Sequence, residues 1–144
     1  MRIWRQEHID PAALTAIEAN SMSGHLGIEI VEVGDDFLSA RMPVDKRTQQ
    51  PFGRLHGGAS VALAETLASI AANLTVDRRE HLAVGMEINA NHLRPAKGGF
   101  VYAEARPEAL GKSTQVWTIR IRDENGALVC ISRMTAAVIR IDRM

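Results

Sequence analysis

The chain has 144 residues, 46% of them hydrophobic and 24% charged, a composition typical of one globular domain that buries its own core. Its 17 basic and 17 acidic residues cancel, which argues against a general nucleic-acid binder. Because Cys130 is the only cysteine, an internal disulfide is excluded and the disulfide-rich secreted class with it. We expect a single domain over residues 1–144, located in the cytoplasm.

The first elements that the sequence predicts are a short helix and a hairpin. Asp10 is a good N-cap and Pro11 suits the first helical position, so a helix is predicted through residues 12–17. Strands are predicted over Ile28–Val33 and Phe37–Val44, separated by a Gly-Asp-Asp turn.

The strongest helix signal in the chain covers residues 59–74, which are rich in Ala and Leu and contain neither Pro nor Gly. Within 55–76 Glu65 is the only fully charged residue, and Ser69 and Asn73 follow at helical spacing to form a narrow polar stripe. The central carboxylate argues against a membrane span here, so no membrane association is predicted.

The rest of the chain predicts strands. Residues 84–92 alternate, which predicts one shared face for Val84, Met86, Ile88, Ala90 and His92. Further strands are predicted over Phe100–Arg106, Val116–Arg122 and Leu128–Ile141, the last two joined by an Asn-Gly turn. The order of elements predicts an α+β fold, an antiparallel sheet packed on one long helix.

Two interpretations of the polar stripe remain open. In the first, Glu65, Ser69 and Asn73 form a thin solvated face, with Ser69 bonding back to the Glu65 carbonyl. In the second, Glu65 is a partly desolvated functional carboxylate, which the lack of Lys or Arg on the helix favours. Gly57-Gly58 at the helix start is either a tight turn or a set of N–H groups that hold an oxyanion.

The charge distribution also leaves two interpretations. Residues 1–90 carry 8 basic and 12 acidic residues, and residues 91–144 carry 9 and 5. The later strands therefore either present a basic patch to an anionic ligand or carry ordinary surface charge. No metal site is predicted, because no two histidines have the helical i, i+4 spacing and Cys130 is alone.

The segment from Gln50 to Glu65, QPFGRLHGGASVALAE, closely resembles the hotdog thioesterases, especially the small bacterial aryl- and acyl-CoA thioesterases of the menaquinone and enterobactin pathways. The likeness continues over nearly the whole chain, for example at residues 42–45 and 87–92. It implies the hotdog fold, a sheet wrapped around one helix. It also implies a homo-oligomer, a dimer with shared active sites that usually pairs into a tetramer.

The resemblance assigns catalytic roles to five positions. Glu65 matches the family's catalytic carboxylate, and the backbone of Gly57 matches the donor to the thioester oxygen. Gln50 matches the side-chain amide beside the carbonyl, and Ser69 the hydroxyl one turn after the carboxylate. His56 matches the motif histidine beside the thioester.

The resemblance also implies residues that bind the substrate. His92 falls where relatives carry a histidine near the substrate, although a histidine on a sheet face is an equally good interpretation. Arg94, Gly111, Lys112 and Ser113 match the region that relatives use for CoA phosphates. Lys112-Ser113 departs from the Ser-Arg pairing of close relatives, which leaves the nucleotide contacts open.

The expected activity is hydrolysis of an acyl-CoA or acyl carrier protein thioester, with Glu65 as nucleophile or general base and no cofactor. An aromatic acyl group, such as benzoyl or 1,4-dihydroxy-2-naphthoyl, would suit the candidate pocket residues Met22, His25, Phe52 and Leu55. One alternative is a hotdog hydratase, which generally needs an Asp/His pair. The other is a non-catalytic acyl-CoA sensor.

Overall fold

The computed structural model describes residues 1–143 and confirms the α+β prediction: a six-stranded antiparallel sheet wraps around one long helix. The sheet order is β1-β2-β4-β5-β6-β3, so β1 and β3 form its edges. The elements are α1 (Pro11–Ile17), α2 (Met22–His25), β1 (Glu29–Val33), β2 (Leu38–Pro43), α3 (Gly57–Thr75), β3 (His81–His92), β4 (Phe100–Leu110), β5 (Thr114–Arg122), β6 (Leu128–Arg140) and a final 3₁₀ turn (Ile141–Arg143).

Helix α3 forms the centre of the core. Leu63 and Leu67 are fully buried, as are the small alanines at 64, 68, 71 and 72, so the helix packs closely against the sheet. Trp117 and Ile119 of β5 face it from the concave side of the sheet and are also fully buried. Burial of each such leucine contributes about 1.5–3 kcal/mol, which explains why a helix of mostly small residues is stably held.

Strand β3 contains a bulge that the predicted alternation did not include. The register with β6 shifts between Gly85 and Glu87. One additional residue reverses the side to which later side chains point. Val84 and Met86 are therefore 43% and 59% exposed, whereas Ile88 is half-buried against the core. The prediction of one shared face for residues 84–92 was wrong for this reason.

The N-terminal segment forms a strap across the end of α3. Trp4 stacks on Trp117 with ring centroids 6.4 Å apart. The Arg5 backbone N–H donates to the Leu74 carbonyl, and its Nε donates to the Thr75 carbonyl. These bonds satisfy carbonyl groups that a helix end otherwise leaves without partners.

Other local predictions are confirmed. The Asp10 side chain caps α1 by accepting from the Ala12 N–H at 3.0 Å, and Gly126 adopts a positive φ of 80° in the β5–β6 turn. Helix α2 was not predicted. Among residues 1–143, no helix is both long and apolar enough to cross a membrane.

Candidate active site

The N-terminus of α3 has one free backbone donor. His56 is the N-cap, and its Nδ1 accepts from the Gly58 N–H at 2.8 Å. The His56 carbonyl accepts from the N–H groups of Ala59 and Ser60. Among the described residues no acceptor is bonded to the Gly57 N–H, which therefore lies free at the positive end of the helix dipole.

Gln50 lies beside this donor. Its Oε1 accepts from the Phe52 N–H within the loop, which leaves the side-chain NH₂ available as a donor. Gln50, Gly57, His92 and Arg94 line one cavity of about 410 Å³. A Cβ on Gly57 would lie 3.0 Å from His92 Nε2, so glycine permits the close approach of this ring. These four residues are called the donor half-site below.

Glu65 faces a different cavity, of about 340 Å³, together with Ser69 and Met22. Its carboxylate is half-buried and packs on β3, where a Cβ on Gly85 would lie 2.9 Å from Oε1. Within residues 1–143 no hydrogen bond or ion pair to this carboxylate is formed. Glu65 and Ser69 are called the carboxylate half-site.

The polar stripe is not a solvated face. Glu65, Ser69 and Asn73 are all half-buried. Ser69 Oγ donates to Met134 Sδ at 3.6 Å instead of bonding back to the Glu65 carbonyl. The stripe therefore lies against β3 and β6, where a carboxylate is partly desolvated.

A larger cavity of about 820 Å³ adjoins the carboxylate half-site and shares Ser69 and Ile70 with it. Its floor continues along α3 to Leu74, and its outer wall is the strap and α1, which contribute Leu14 and Ile17. Arg5, Arg78 and Arg79 also line it. The cavity offers mostly apolar space beside the carboxylate.

The two half-sites do not meet within one chain. Gly57 and Glu65 are eight residues apart on α3, which separates them by about 12 Å along the helix axis. Each faces its own cavity. A single reacting carbonyl cannot touch both, so one chain presents two incomplete sites.

The candidate phosphate-binding residues are separated as well. Gly111 and Lys112 lie at the β4–β5 turn and line a cavity of about 620 Å³ with His81, at the start of β3. Ser113 is in the same turn and accepts from the Val138 N–H. Arg94 follows the opposite end of β3, a strand of 12 residues that spans about 36 Å.

The candidate acyl pocket residues are also divided. Met22 lines the carboxylate half-site and Leu55 the donor half-site. Phe52 is 83% exposed at the tip of its loop. His25 ends α2, where its carbonyl accepts from Arg47. No single wall contains all four in one chain.

Cys130 is fully buried in the core, and burial raises the pKa of its thiol. The thiol therefore stays protonated at neutral pH, and Cys130 packs as a small buried hydrophobic residue. In the described part of the chain, no three His, Cys, Asp or Glu side chains are placed to share a metal ion.

The sequence interpretation missed Gly85, the glycine on which the Glu65 carboxylate packs. A glycine inside a strand pattern often marks a bulge or a close approach, and this signal was present in residues 84–92.

Comparison with known proteins gives consistent results. A family model described as the thioesterase superfamily matches residues 52–130. The 1,4-dihydroxy-2-naphthoyl-CoA hydrolase of Escherichia coli is 50% identical over 95% of this chain and 99% of its own length. The proofreading thioesterase EntH of Cronobacter turicensis is 49% identical over 94% of this chain and 98% of its own. The crystal structure of a mutant thioesterase from Pseudomonas aeruginosa superposes with a TM-score of 0.94 at 48% identity, covering 96% of this chain and 99% of that one.

Proposed function

This chain belongs to the thioesterase superfamily, and we propose that it hydrolyses an acyl-CoA thioester in a site completed by a second copy, with Glu65 as the catalytic carboxylate. The observation that carries the proposal is the presence, on one helix, of a free oxyanion donor and a carboxylate without a partner among the described residues. Both are the groups that thioester hydrolysis requires, and neither half-site is complete alone.

A second copy would unite the half-sites through the free edge of β3. Within one chain Gly57 packs on His92, near one end of β3, and Glu65 packs on Gly85, seven residues earlier. Two β3 strands paired antiparallel around a two-fold axis near Ile88 and Asn89 would bring the Gly85 region of one chain beside His92 of the other. The carboxylate half-site of one copy would then face the donor half-site of the second copy.

The same pairing would reunite the other separated residues. The start of β3 in one copy would lie near the end of β3 in the other, so Lys112 of one chain would approach Arg94 of the second. Phe52 of one copy would likewise approach Met22 of the other. The association of two such dimers into a tetramer stays a prediction.

The chemistry follows from the nature of a thioester. Its leaving thiol has a pKa of about 8.5, so departure needs little acid assistance. Glu65 either attacks the carbonyl carbon to form an anhydride that water then cleaves, or removes a proton from the attacking water. The Gly57 N–H and the Gln50 NH₂ stabilise the oxyanion as the C–S bond breaks. The products are the free acid and the CoA thiol.

For the acyl group we propose an aromatic acid of the benzoyl or 1,4-dihydroxy-2-naphthoyl type. The hydrolase from Escherichia coli is named for the second of these. The cavity that adjoins Glu65 has apolar lining from Leu14, Ile17 and Ile70 beside charged residues that include three arginines, and it is large enough for fused rings. The same site would accept the thioester on CoA or on a carrier protein.

The test is thiol release from a panel of benzoyl-, phenylacetyl-, dihydroxynaphthoyl-type and straight-chain acyl-CoA esters. We expect wild-type turnover, with an aromatic ester preferred, and a loss on the order of 10³-fold or more in Glu65→Ala. Glu32→Ala, at an exposed carboxylate on β1, serves as the matched control and should retain full activity. Binding of the esters without turnover in wild type would refute hydrolysis and support an acyl-CoA sensor.

A further inference from the structure

The Asn73 side chain binds the backbone of an edge strand. Its Oδ1 accepts from the Ala83 N–H at 3.0 Å, and its Nδ2 donates to the Ala83 carbonyl at 2.8 Å. Nδ2 also donates to the Ser69 carbonyl at 2.9 Å within α3. One amide thus satisfies both backbone groups of Ala83, as a neighbouring β-strand would.

These two groups of Ala83 belong to the free edge of the sheet. Ala83 lies opposite Val138 of β6, whose N–H is directed away from β3 to the Ser113 carbonyl. Ala83 and Val138 therefore form a pair without mutual hydrogen bonds, and the Ala83 N–H and C=O point outward. By the same alternation, beyond the bulge the backbone groups of Ile88, Ala90 and His92 point outward.

We propose that Asn73 closes the edge of β3 at Ala83 and thereby fixes the register in which a second copy pairs with this strand. The assignment rests on the proposed dimer and makes Asn73 a positioning residue. A free edge pairs readily with another strand wherever its groups are open. With Ala83 occupied, pairing is confined to the part of β3 that follows the bulge.

The register matters because it aligns the two half-sites. When two β3 strands pair around an axis near Ile88 and Asn89, Gly85 of one copy, and with it Glu65, lies beside the donor half-site of the second copy. A slip of four residues, which moves the two-fold axis from Asn89 to Glu87, would move the strands by about 13 Å relative to each other. Misplacement of reacting groups by even ~1 Å can cost about 10²-fold in rate.

The register is measured by disulfide trapping. Single cysteines replace Glu87, Asn89 or Asn91, which are exposed on the outer face of β3, in a Cys130→Ala background. A disulfide requires Cα atoms within about 7 Å, so only the position nearest the two-fold axis links efficiently to itself. In the Cys130→Ala protein that keeps Asn73, we expect Asn89→Cys to form the disulfide between two copies. When Asn73→Ala is added, we expect the Glu87→Cys protein to form a disulfide between two copies as well.

Kinetics provide a second readout. Asn73→Ala should lower kcat by about 10-fold or more because alignment is lost. KM should change by less than about 3-fold, because Asn73 is one residue at the border of the proposed acyl cavity and the rest of its lining is kept. Thr75→Val is the matched control on the same helix: it loses hydrogen bonds to Ala72 and Gln115 but none to β3. It should lower Tm and leave both kcat and the cross-linking position unchanged.

Asn73→Asp covers the case in which the alanine variant fails to fold. Its carboxylate keeps the acceptor for the Ala83 N–H but faces the carbonyls of Ala83 and Ser69 without a donor. Protonation restores a donor, so the kcat of this variant relative to wild type should rise as pH falls.

Two results would overturn the assignment. In the first, the Asn73→Ala proteins form the disulfide only at Asn89→Cys, and Asn73→Ala keeps the wild-type kcat. That result would refute the role of Asn73 and leave the proposed dimer intact. A wild-type protein that is monomeric and forms no cross-link at any of the three positions would refute the dimer and the role of Asn73 together.

Discussion

Glu65 and Gly85 are in contact across the gap between α3 and β3, so a side chain at Gly85 would displace the carboxylate. A Cβ there would lie 2.9 Å from Glu65 Oε1 and 3.7 Å from Met134 Sδ. The carboxylate would have to move, since the backbone of β3 is held by its ladder with β6. The position of the proposed catalytic group is therefore set by a glycine as well as by its own helix.

Gly85→Ala should accordingly lower kcat by about 10- to 100-fold, because a small displacement of the carboxylate removes its alignment with the carbonyl. Steady-state kinetics with an aromatic acyl-CoA measure the effect. Gly98→Ala is the control, since no atom lies within 4 Å of the added Cβ. Equal kcat in both variants would show that the carboxylate is not constrained by β3.

Single residues also show what the sequence could predict. Glu65 was identifiable because it is the only charge within 55–76 and because the surrounding motif resembles a known family. The resemblance supplied the roles of Gln50 and Gly57. The contact with Gly85 was not predictable from alternation, because a bulge changes the phase of a strand without altering its hydrophobic composition.

At the scale of elements, a buried polar chain links the end of α3 to the sheet. Gln115, only 3% exposed, accepts from Trp117 Nε1 at 2.9 Å and donates to Thr75 Oγ1 at 2.8 Å. Thr75 in turn donates to the Ala72 carbonyl. Trp117 also stacks on Trp4, so this chain and the strap support the same end of the helix.

Gln115→Ala should destabilise the fold by about 1–3 kcal/mol, since it leaves the buried Trp117 N–H without an acceptor. Thermal unfolding followed by circular dichroism measures the shift in Tm. Gln6→Ala, at an exposed position of the strap, is the comparison and should leave Tm nearly unchanged. An equal Tm for the two variants would mean that water replaces the Gln115 amide.

The turn between α3 and β3 gives a pH-dependent contribution. The side chain of Arg79, together with its backbone N–H, binds the Asp77 carboxylate and lowers the pKa of that carboxyl below its usual value. Because the pKa of Asp77 is lower in the folded than in the unfolded protein, the ion pair stabilises the fold at pH values above the unfolded-state pKa of about 3.9. This stabilisation is lost as the pH falls further.

Asp77→Asn keeps the acceptor for the Arg79 N–H and removes the charge. The Tm of wild type should exceed that of the variant at pH 6, and the difference should narrow as pH falls below about 4. The effect is small because the pair is exposed to solvent. A difference that widens on acidification would contradict the ion pair as its cause.

At the scale of the whole molecule, the order of the elements other than α2 was predictable, because composition and residue spacing distinguish the long helix from the strands and turn residues separate them. The strap was not, since residues 1–9 gain their order from Trp117 and the end of α3, which are distant in sequence. The division of the site was also hidden. A motif that is continuous in sequence, from Gln50 to Glu65, lines two separate cavities at different points along a helix.

That division makes the proposed dimer testable with inactive proteins. Gln50→Ala disables the donor half-site of a chain and Glu65→Ala its carboxylate half-site. A mixed dimer then holds one intact site, formed by Glu65 of the first variant and Gln50 of the second. Random exchange of subunits makes half of the dimers mixed, so a mixture should regain roughly a quarter of wild-type activity.

The measurement is thiol release after the two variants are unfolded and refolded together, compared with each variant refolded alone. A double variant, Gln50→Ala with Glu65→Ala, mixed with wild type is the control. If the sites are shared, its mixed dimers hold no intact site and the mixture should keep roughly a quarter of wild-type activity, whereas sites within one chain would keep roughly half. If each active site lay within one chain, the two single variants would show no recovery on mixing. Recovery can arise only when the reacting carbonyl is held by two chains at once, with the donor from one helix and the carboxylate from the other.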